Sequence, residues 1–317
     1  MSTRIITVSL NPALDQTVTL DRLTPGTVQR AQSARIDAGG KGVNVASCLA
    51  DWGVATAITG LLGADNAAAF EHLFAAKNIE DRCVRVPGTT RTNIKLVDES
   101  RGETTDVNLP GFTADASVLT VVRRDLRALC ADANLVVLSG SLPNGLASDA
   151  YVELLEALAR HGTRAVLDTS DAALTAALTA PSAALPYAVK PNRHELEAWA
   201  GRALPTQADL LIAARELQAR GVKLVVISIG EAGALFVHGD DALHALPPAI
   251  HTSSTVGAGD AMVAGIAAAL LEGANLEATA RLATAFATAK LSRAGAHLPA
   301  WERVQQLAIA TTITRLN

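Results

Sequence analysis

Asp260 closes the run Thr255-Val256-Gly257-Ala258-Gly259-Asp260, and an apolar stretch begins immediately after it at Ala261. Two glycines free the backbone to turn where a helix starts, so amide N–H groups and the positive end of the helix dipole converge on one point. An anion fits that point. An aspartate beside it can take a proton from a hydroxyl while the amides of Gly257, Ala258 and Gly259 hold a transferring phosphoryl group. The competing reading is a glycine-rich helix start with Asp260 as its cap, and these residues taken alone weigh the two about equally. Neither common nucleotide motif occurs. There is no Gly-x-x-x-x-Gly-Lys-Ser/Thr loop, and a dinucleotide fingerprint fails at Met262, where its third glycine belongs.

A second constellation is Asp37-Ala38-Gly39-Gly40-Lys41-Gly42-Val43-Asn44, which leads into a helical pattern from Val45 to Trp52. Gly39 and Gly40 let a ligand approach the backbone, Lys41 offers a charge and Asn44 a two-sided amide. Three glycines around a lysine exceed what a turn requires, so a bound polar small molecule is the sharper account. Asn11-Pro12-Ala13-Leu14-Asp15 follows the first apolar run, where the carboxyl end of a parallel strand places ligand groups. Asp15 there is either an acceptor for sugar hydroxyls or an ordinary turn residue.

Val189-Lys190-Pro191-Asn192-Arg193-His194-Glu195 ends a strand and opens a helix, putting Asn192 and Glu195 three apart on one face. Glu195 is what a capping box needs at its third position, and it is also an oxygen able to reach Mg²⁺ through water. His194 reads as solvated. Ser228-Ile229-Gly230-Glu231-Ala232-Gly233 is a strand end and tight turn: a plain hairpin, or a seat for a nucleotide's phosphate or ribose. Arg91 is either a bidentate phosphate clamp or a surface charge.

These residues need a scaffold. Strand-like runs at 5–10, 55–62, 135–139, 164–169, 187–190 and 224–229 alternate with helical patterns such as 116–131, 149–161 and 207–220, which predicts a mostly parallel sheet with helices on both faces. Segments 17–36 and 90–108 break that rhythm and read as strands outside the main sheet, a lid. From Ala258 onward the pattern is purely helical. No linker or repeat interrupts the 317 residues, so one α/β domain is expected, with lid segments around 11–36 and 89–110.

Composition narrows the partners. A formal charge of −4, with Lys and Arg interspersed among Asp and Glu, argues against a nucleic-acid surface. Cys48, Cys83 and Cys130 lack the spacing of a zinc site or a disulfide framework. The longest apolar stretch, 261–271, is far short of the ~20 residues of a membrane span. A cytoplasmic protein without membrane attachment is expected.

Together the motifs resemble the phosphofructokinase B group of the ribokinase-like sugar kinases, and within it the branch acting on fructose 1-phosphate. The resemblance runs nearly end to end through Val8 to Asp15, the Gly39-to-Asn44 loop, Thr90-Arg91-Thr92-Asn93, Ser139-Gly140-Ser141-Leu142-Pro143, Val189 to Asn192 and Thr255 to Asp260. It implies a ribokinase-like three-layer sandwich with a β lid. It implies ATP-dependent phosphorylation of D-fructose 1-phosphate at O6, with 6-phosphofructokinase or tagatose-6-phosphate kinase as alternatives, and a catalytically silent sugar-phosphate sensor as an alternative of another class.

On the same basis Asp260 is the base, and the backbone of Gly257, Ala258 and Gly259 is the anion hole. Asp15, Gly39, Gly40, Asn44 and Ser139 orient the sugar, and Lys41 and Arg91 neutralise its phosphate. ATP lies against Lys190, Asn192, Ser228, Ile229, Gly230, Glu231, Ala232, Gly233 and Gly259. Glu195 helps to organise Mg²⁺, and a monovalent cation such as K⁺ is a further candidate cofactor. Homodimerisation through the lid is implied, with Arg30 the one candidate for a residue reaching a neighbouring subunit's site. Ile229 stands where leucine is usual and Thr169 where serine is usual.

Overall fold

The computed structural model describes residues 4–250, 257–292 and 297–316. The chain opens with β1 (Arg4–Ser9), then leaves for β2 (Ala13–Leu20) and β3 (Ser33–Gly39) before α1 (Lys41–Asp51) and β4 (Ala55–Gly63). α2 (Ala68–Ala76) and β5 (Glu80–Val86) follow, and the hairpin of β6 (Arg91–Asp98) and β7 (Glu103–Asn108) is a second excursion. After α3 (Ser117–Leu129) come β8 (Ala133–Ser139), α4 (Ala150–Arg160), β9 (Arg164–Asp168), α5 (Asp171–Thr179), β10 (Ala188–Val189), α6 (Arg193–Ala200), α7 (Gln207–Arg220) and β11 (Leu224–Ser228). The last third holds β12 (Ala234–His238), β13 (Asp241–Leu246), α8 (Ala258–Leu271), α9 (Leu276–Leu291), α10 (Trp301–Ala310) and β14 (Thr312–Leu316).

Among the described residues the main sheet runs β14-β13-β12-β11-β10-β9-β8-β1-β4-β5, parallel from β11 to β5 and antiparallel from β11 to β14. Its strands are apolar on both faces, as a sheet sandwiched by helices must be. Ile6, Val8, Val136 and Leu138 pack with residues of α3 to α7, whereas Ile5, Leu135 and Val137 pack with α1, α8, α9 and α10. Strand order reverses at β1, with β4 on one side and β8 on the other. Ligands of open α/β sheets bind beyond the strand carboxyl ends at such a reversal, and Ser9, Ser139 and Asp168 end β1, β8 and β9 there.

The two excursions form a separate sheet in the order β3-β2-β6-β7. Parallel pairing of β2 with β6 sets Asp15 opposite Asn93, and Gly102, at a φ of 65°, closes the turn into β7. The strands expected over 17–36 prove to be β2 and β3 with an irregular segment between them.

Two expectations change. The C-terminal region is not purely helical: Thr312, Ile313 and Thr314 are β-branched, and β14 pairs antiparallel with β13, whose outer edge would otherwise be open. The strand predicted over 187–190 shrinks to Ala188–Val189, although Lys190 N still donates to Leu167 O at 3.2 Å.

Candidate active site

Asp260 is the third residue of α8, whose N-cap is Gly257 at φ 80°, a left-handed conformation that an L side chain resists. The N-cap position is held by Gly257 and not by Asp260, and no side-chain cap hydrogen bond is made there among the described residues. Its side chain is buried, and Asn44 Nδ2 donates to its Oδ2 at 2.7 Å. Burial first, and then the charge of Asp168, push its pKa above the ordinary carboxylate value; the Asn44 hydrogen bond, Lys41 and Lys190 oppose that rise. A carboxylate so placed is a stronger base than one in water. Thr255 and Val256, the opening of its motif, lie outside the described residues.

Asn44 reaches Asp260 because α1 starts hard against the end of β1. Gly40 caps α1 at φ 92°, and a Cβ there would lie 2.8 Å from Pro12 Cα. Only glycine lets the helix begin so close to the strand loop.

Asp168, at the end of β9, was not assigned a role from sequence. Its buried carboxylate lies 3.5 Å from Lys41 Nζ and 3.2 Å from Lys190 Nζ. Two cations thus meet over one anion beside Asp260. Burial works against the charge on Lys41, but Asp168, Asp260 and Glu195 outweigh it and its pKa is raised. Lys190 also faces the amide turn, its Nζ 3.6 Å from where a Cβ of Gly259 would be. The positive charge of this end is therefore held in place and partly neutralised, leaving room for a more highly charged anion. Asp168 could have been found from position alone, as an acid ending a buried strand next to the reversal of strand order.

The lid brings a second group together. Asn93 Nδ2 donates to Asp15 Oδ1 at 3.0 Å, and Lys95 Nζ lies 3.2 Å from the same oxygen. A Cβ on Gly39 would fall 2.6 Å from Asp15 Oδ2, so the glycine leaves that oxygen its space. Asn93 and Lys95 share a face of β6 by the two-residue period of a strand, a signal available in the sequence and not used. Half-buried Arg91 donates to Pro12 O at 3.3 Å and Asn11 O at 3.4 Å. Among the described residues no carboxylate lies within ion-pair distance of it, and burial lowers its pKa against the pull of Asp15. Asn11 Nδ2 ties this loop to Ser141 Oγ and Leu142 O. Ser139 Oγ is buried with no hydrogen-bond partner among the described residues.

At the ends of β10 and β11, where the sequence reading expects the nucleotide, Asn192 and Glu195 form the capping box of α6: Asn192 Oδ1 accepts from Glu195 N at 2.9 Å and Glu195 Oε2 accepts from Asn192 N at 2.8 Å. Asn192 also bridges to Ser228, bringing the ends of β10 and β11 together. Gly230, Glu231 and Ala232 form an exposed 3₁₀ turn between β11 and β12. Gly233 packs on β13, since a Cβ would lie 2.0 Å from Ala245 O. His194 is exposed, beside Glu197, and Arg30 is exposed. Among the described residues no three His, Cys, Asp or Glu gather to hold a metal. Mg²⁺ needs few protein oxygens when a triphosphate and water supply the rest, and Asp168, Asp260 and Glu195 are the acids that act on Lys41 here.

Residues 8–303 match the family described as pfkB family carbohydrate kinase. A protein named 1-phosphofructokinase from Xanthomonas campestris pv. campestris is 54% identical over 314 residues, covering 99% of each chain. One of the same name from Rhodobacter capsulatus is 50% identical over 317 residues, covering 100% of this chain and 99% of its own. Phosphofructokinase-2 from Escherichia coli is 30% identical and shares the fold over 97% of this chain and 99% of that one; its TM-score is 0.86 in complex with fructose-6-phosphate and 0.89 in complex with potassium. With a buried aspartate at a glycine-capped helix start, lysines around it and a separate four-stranded sheet, the chain belongs to the pfkB family of carbohydrate kinases.

Proposed function

We propose that this chain transfers the γ-phosphoryl group of ATP to O6 of D-fructose 1-phosphate, giving fructose 1,6-bisphosphate and ADP. The observation that carries it is the buried Asp260–Asn44 pair at the amide turn of α8, within reach of Lys41 and Lys190. Both close relatives bear the name of that activity.

In this reading the O6 hydroxyl gives its proton to Asp260 as the O6–P bond forms and the bond from the γ-phosphorus to the ADP oxygen breaks. Asn44 fixes the carboxylate, and the N–H groups of Gly257, Ala258 and Gly259 receive the charge on the transferring group. Lys190 and Lys41, steadied by Asp168, stand on the side of the incoming triphosphate. Asp15, held by Asn93 and Lys95, and Ser139 orient the sugar with Gly39 and Gly40. Arg91 holds the phosphate the sugar already carries, a reading supported by its lack of an acid partner among the described residues. The Lys41 charge, which the sequence assigned to that same phosphate, sits at Asp168.

Ser228 to Gly233 and Asn192 border the nucleotide. Glu195 would hold Mg²⁺ through water, and the ion would supply charge neutralisation for the phosphates. A monovalent cation such as K⁺ belongs to the same reading, on the strength of the potassium complex of the structural neighbour. A homodimer through the lid is supported by apolar side chains exposed there, Ile36 on β3 and Val107 and Leu109 at the end of the β7 hairpin. Free thiols and ATP as phosphoryl donor fit a cytoplasmic enzyme, and no helix among the described residues is long and apolar enough to cross a membrane.

The structural neighbour's complex with fructose-6-phosphate makes the 6-phosphate sugars the alternative to exclude. ADP release measured with fructose 1-phosphate, fructose 6-phosphate and tagatose 6-phosphate tests this, with the product's phosphate positions read by ³¹P NMR. A higher kcat/KM for fructose 1-phosphate and a 1,6-bisphosphate product are expected. Preference for a 6-phosphate would overturn the substrate, and no turnover of any of the three would leave a sensor.

A further inference from the structure

The mechanism above leaves one buried charge near the amide turn unused. Lys290, in the last turn of α9, is 3% exposed. A Cβ built on Gly257 would lie 3.3 Å from Lys290 Cε, 3.8 Å from Asn44 Nδ2 and 3.9 Å from Asp260 Oδ2. The cap of α8 is therefore packed directly against the end of this lysine. On the other side of the same turn, Gly259 faces Lys190. The end of Lys290, from α9, and the ammonium of Lys190, from the end of β10, thus both border the turn that carries the three amides.

Helix packing sets this placement. α8 and α9 are joined by only a short connection (272–275) and run antiparallel over their length. Gly265 is where they come closest, since a Cβ there would fall 2.7 Å from Ala283 Cα. Two turns back along α8 from Gly265 is Gly257, and two turns on along α9 from Ala283 is Lys290. The glycine contact sets the register of the two helices and so carries Lys290 to the amide turn.

Burial lowers the Lys290 pKa, with Arg35 acting in the same direction, against the opposing charges of Asp260 and Asp15. Lysine at a helix C-terminus ordinarily extends to solvent and complements the dipole. This one is drawn into the interior, with its Cε against the cap of α8.

We infer that Lys290 is a positioning charge for phosphoryl transfer: its ammonium lies behind the Gly257 end of the amide turn and strengthens the turn's hold on the negative charge of the transferring group. Asp260 takes the proton, the amides make the contacts, and Lys290 makes and breaks no bond. This inference rests on the kinase reading above and adds a residue to it.

The test compares Lys290→Met and Lys290→Arg with wild type. For each, kcat, the KM of ATP and of the sugar phosphate, the thermal midpoint, and the affinity for ADP with and without aluminium fluoride are measured, the fluoride complex standing in for the phosphoryl group in flight. Lys290→Met is expected to lower kcat by roughly 10- to 100-fold, below the cost of losing a direct oxyanion donor. Affinity for ADP with aluminium fluoride should fall in parallel, with little change for ADP alone or in the KM of the sugar phosphate. Lys290→Arg should recover most of the loss.

Wild-type kcat and wild-type fluoride-complex affinity in a folded Lys290→Met protein would overturn the inference, as would a change confined to the thermal midpoint. Should Lys290→Met fail to fold, Lys290→Ala is assayed with added methylammonium: restored turnover supports the role and its absence contradicts it. Failure here with an active wild type leaves the kinase reading intact. Only an inactive wild type, or full turnover by Asp260→Asn, would remove that reading.

Discussion

The two ends of the site are built differently. At the α8 end Asp260, Asn44, Asp168 and Lys190 are buried, with Lys41 partly exposed, and they are set against one another: Asp260 with Asn44, and Asp168 between Lys41 and Lys190. At the lid end Asp15, Asn93, Lys95 and Arg91 are half-buried on a four-stranded sheet whose outer strand β7 is exposed throughout. The first arrangement tolerates little change, because removing one partner strands a buried charge. The second exchanges contacts more cheaply, since its groups keep partial access to water. In the proposed reading, chemistry would reside in the sandwich and substrate choice in the lid.

Predictions that separate the two ends run from the largest effect downward. Asp260→Asn should lower kcat by about 10²- to 10⁴-fold, as loss of a general base does, in assays of ADP release. The same variant should melt no lower than wild type. The folded-state pKa of Asp260 is raised, so the native state binds that proton more tightly than the unfolded chain, and the ionised carboxylate costs stability as pH rises. A sharp fall in its thermal midpoint near neutral pH would contradict this account of its burial.

Arg91→Ala should act in the other way, raising the KM of the sugar phosphate on the order of 10- to 100-fold, since charged hydrogen bonds are lost, with kcat at saturation changed far less. An unchanged KM would take Arg91 out of the site. Lys95→Met, which loosens Asp15 without touching substrate, should raise the same KM by only a few-fold and leave the KM of ATP alone; equal effects on both would blur the division between the ends. Gly265→Val, remote from both, should cost about 1–3 kcal/mol of stability in denaturant unfolding through overpacking against Ala283.

Much of this was visible in the sequence where a glycine or a strand end marks the backbone. Gly257 and Gly40 do adopt left-handed conformations at helix starts, and the alternation of apolar strands and helices gave the parallel sheet and the separate lid. Asp260 alone was balanced between cap and base; the place of Gly257 as N-cap of α8 and the bond of Asp260 to Asn44, from a distant part of the chain, tip that balance. Glu195 shows the converse, because its capping role is local and so was readable at three-residue spacing.

What stayed hidden depends on long-range register. Asp168 matters because β9 lies beside β8 and two lysines from other elements converge on it. Lys290 carries no local signal beyond a basic residue at a helix end; the Gly265–Ala283 contact is what brings it to Gly257. β14 escaped because its partner edge on β13 is supplied by the fold and leaves no periodic trace in five residues.

The most direct test of the central claim, that Asp260 is the base for a hydroxyl on a phosphorylated sugar, is the pH dependence of kcat/KM for fructose 1-phosphate in wild type and Asp260→Asn. Wild type should lose activity as pH falls through a single group titrating above the ordinary aspartate value, because the base must be ionised and burial raises its pKa. Asp260→Asn should be slow at every pH and lack that acid limb. An acid limb that survives in Asp260→Asn, or a variant within a few-fold of wild type, would contradict the account.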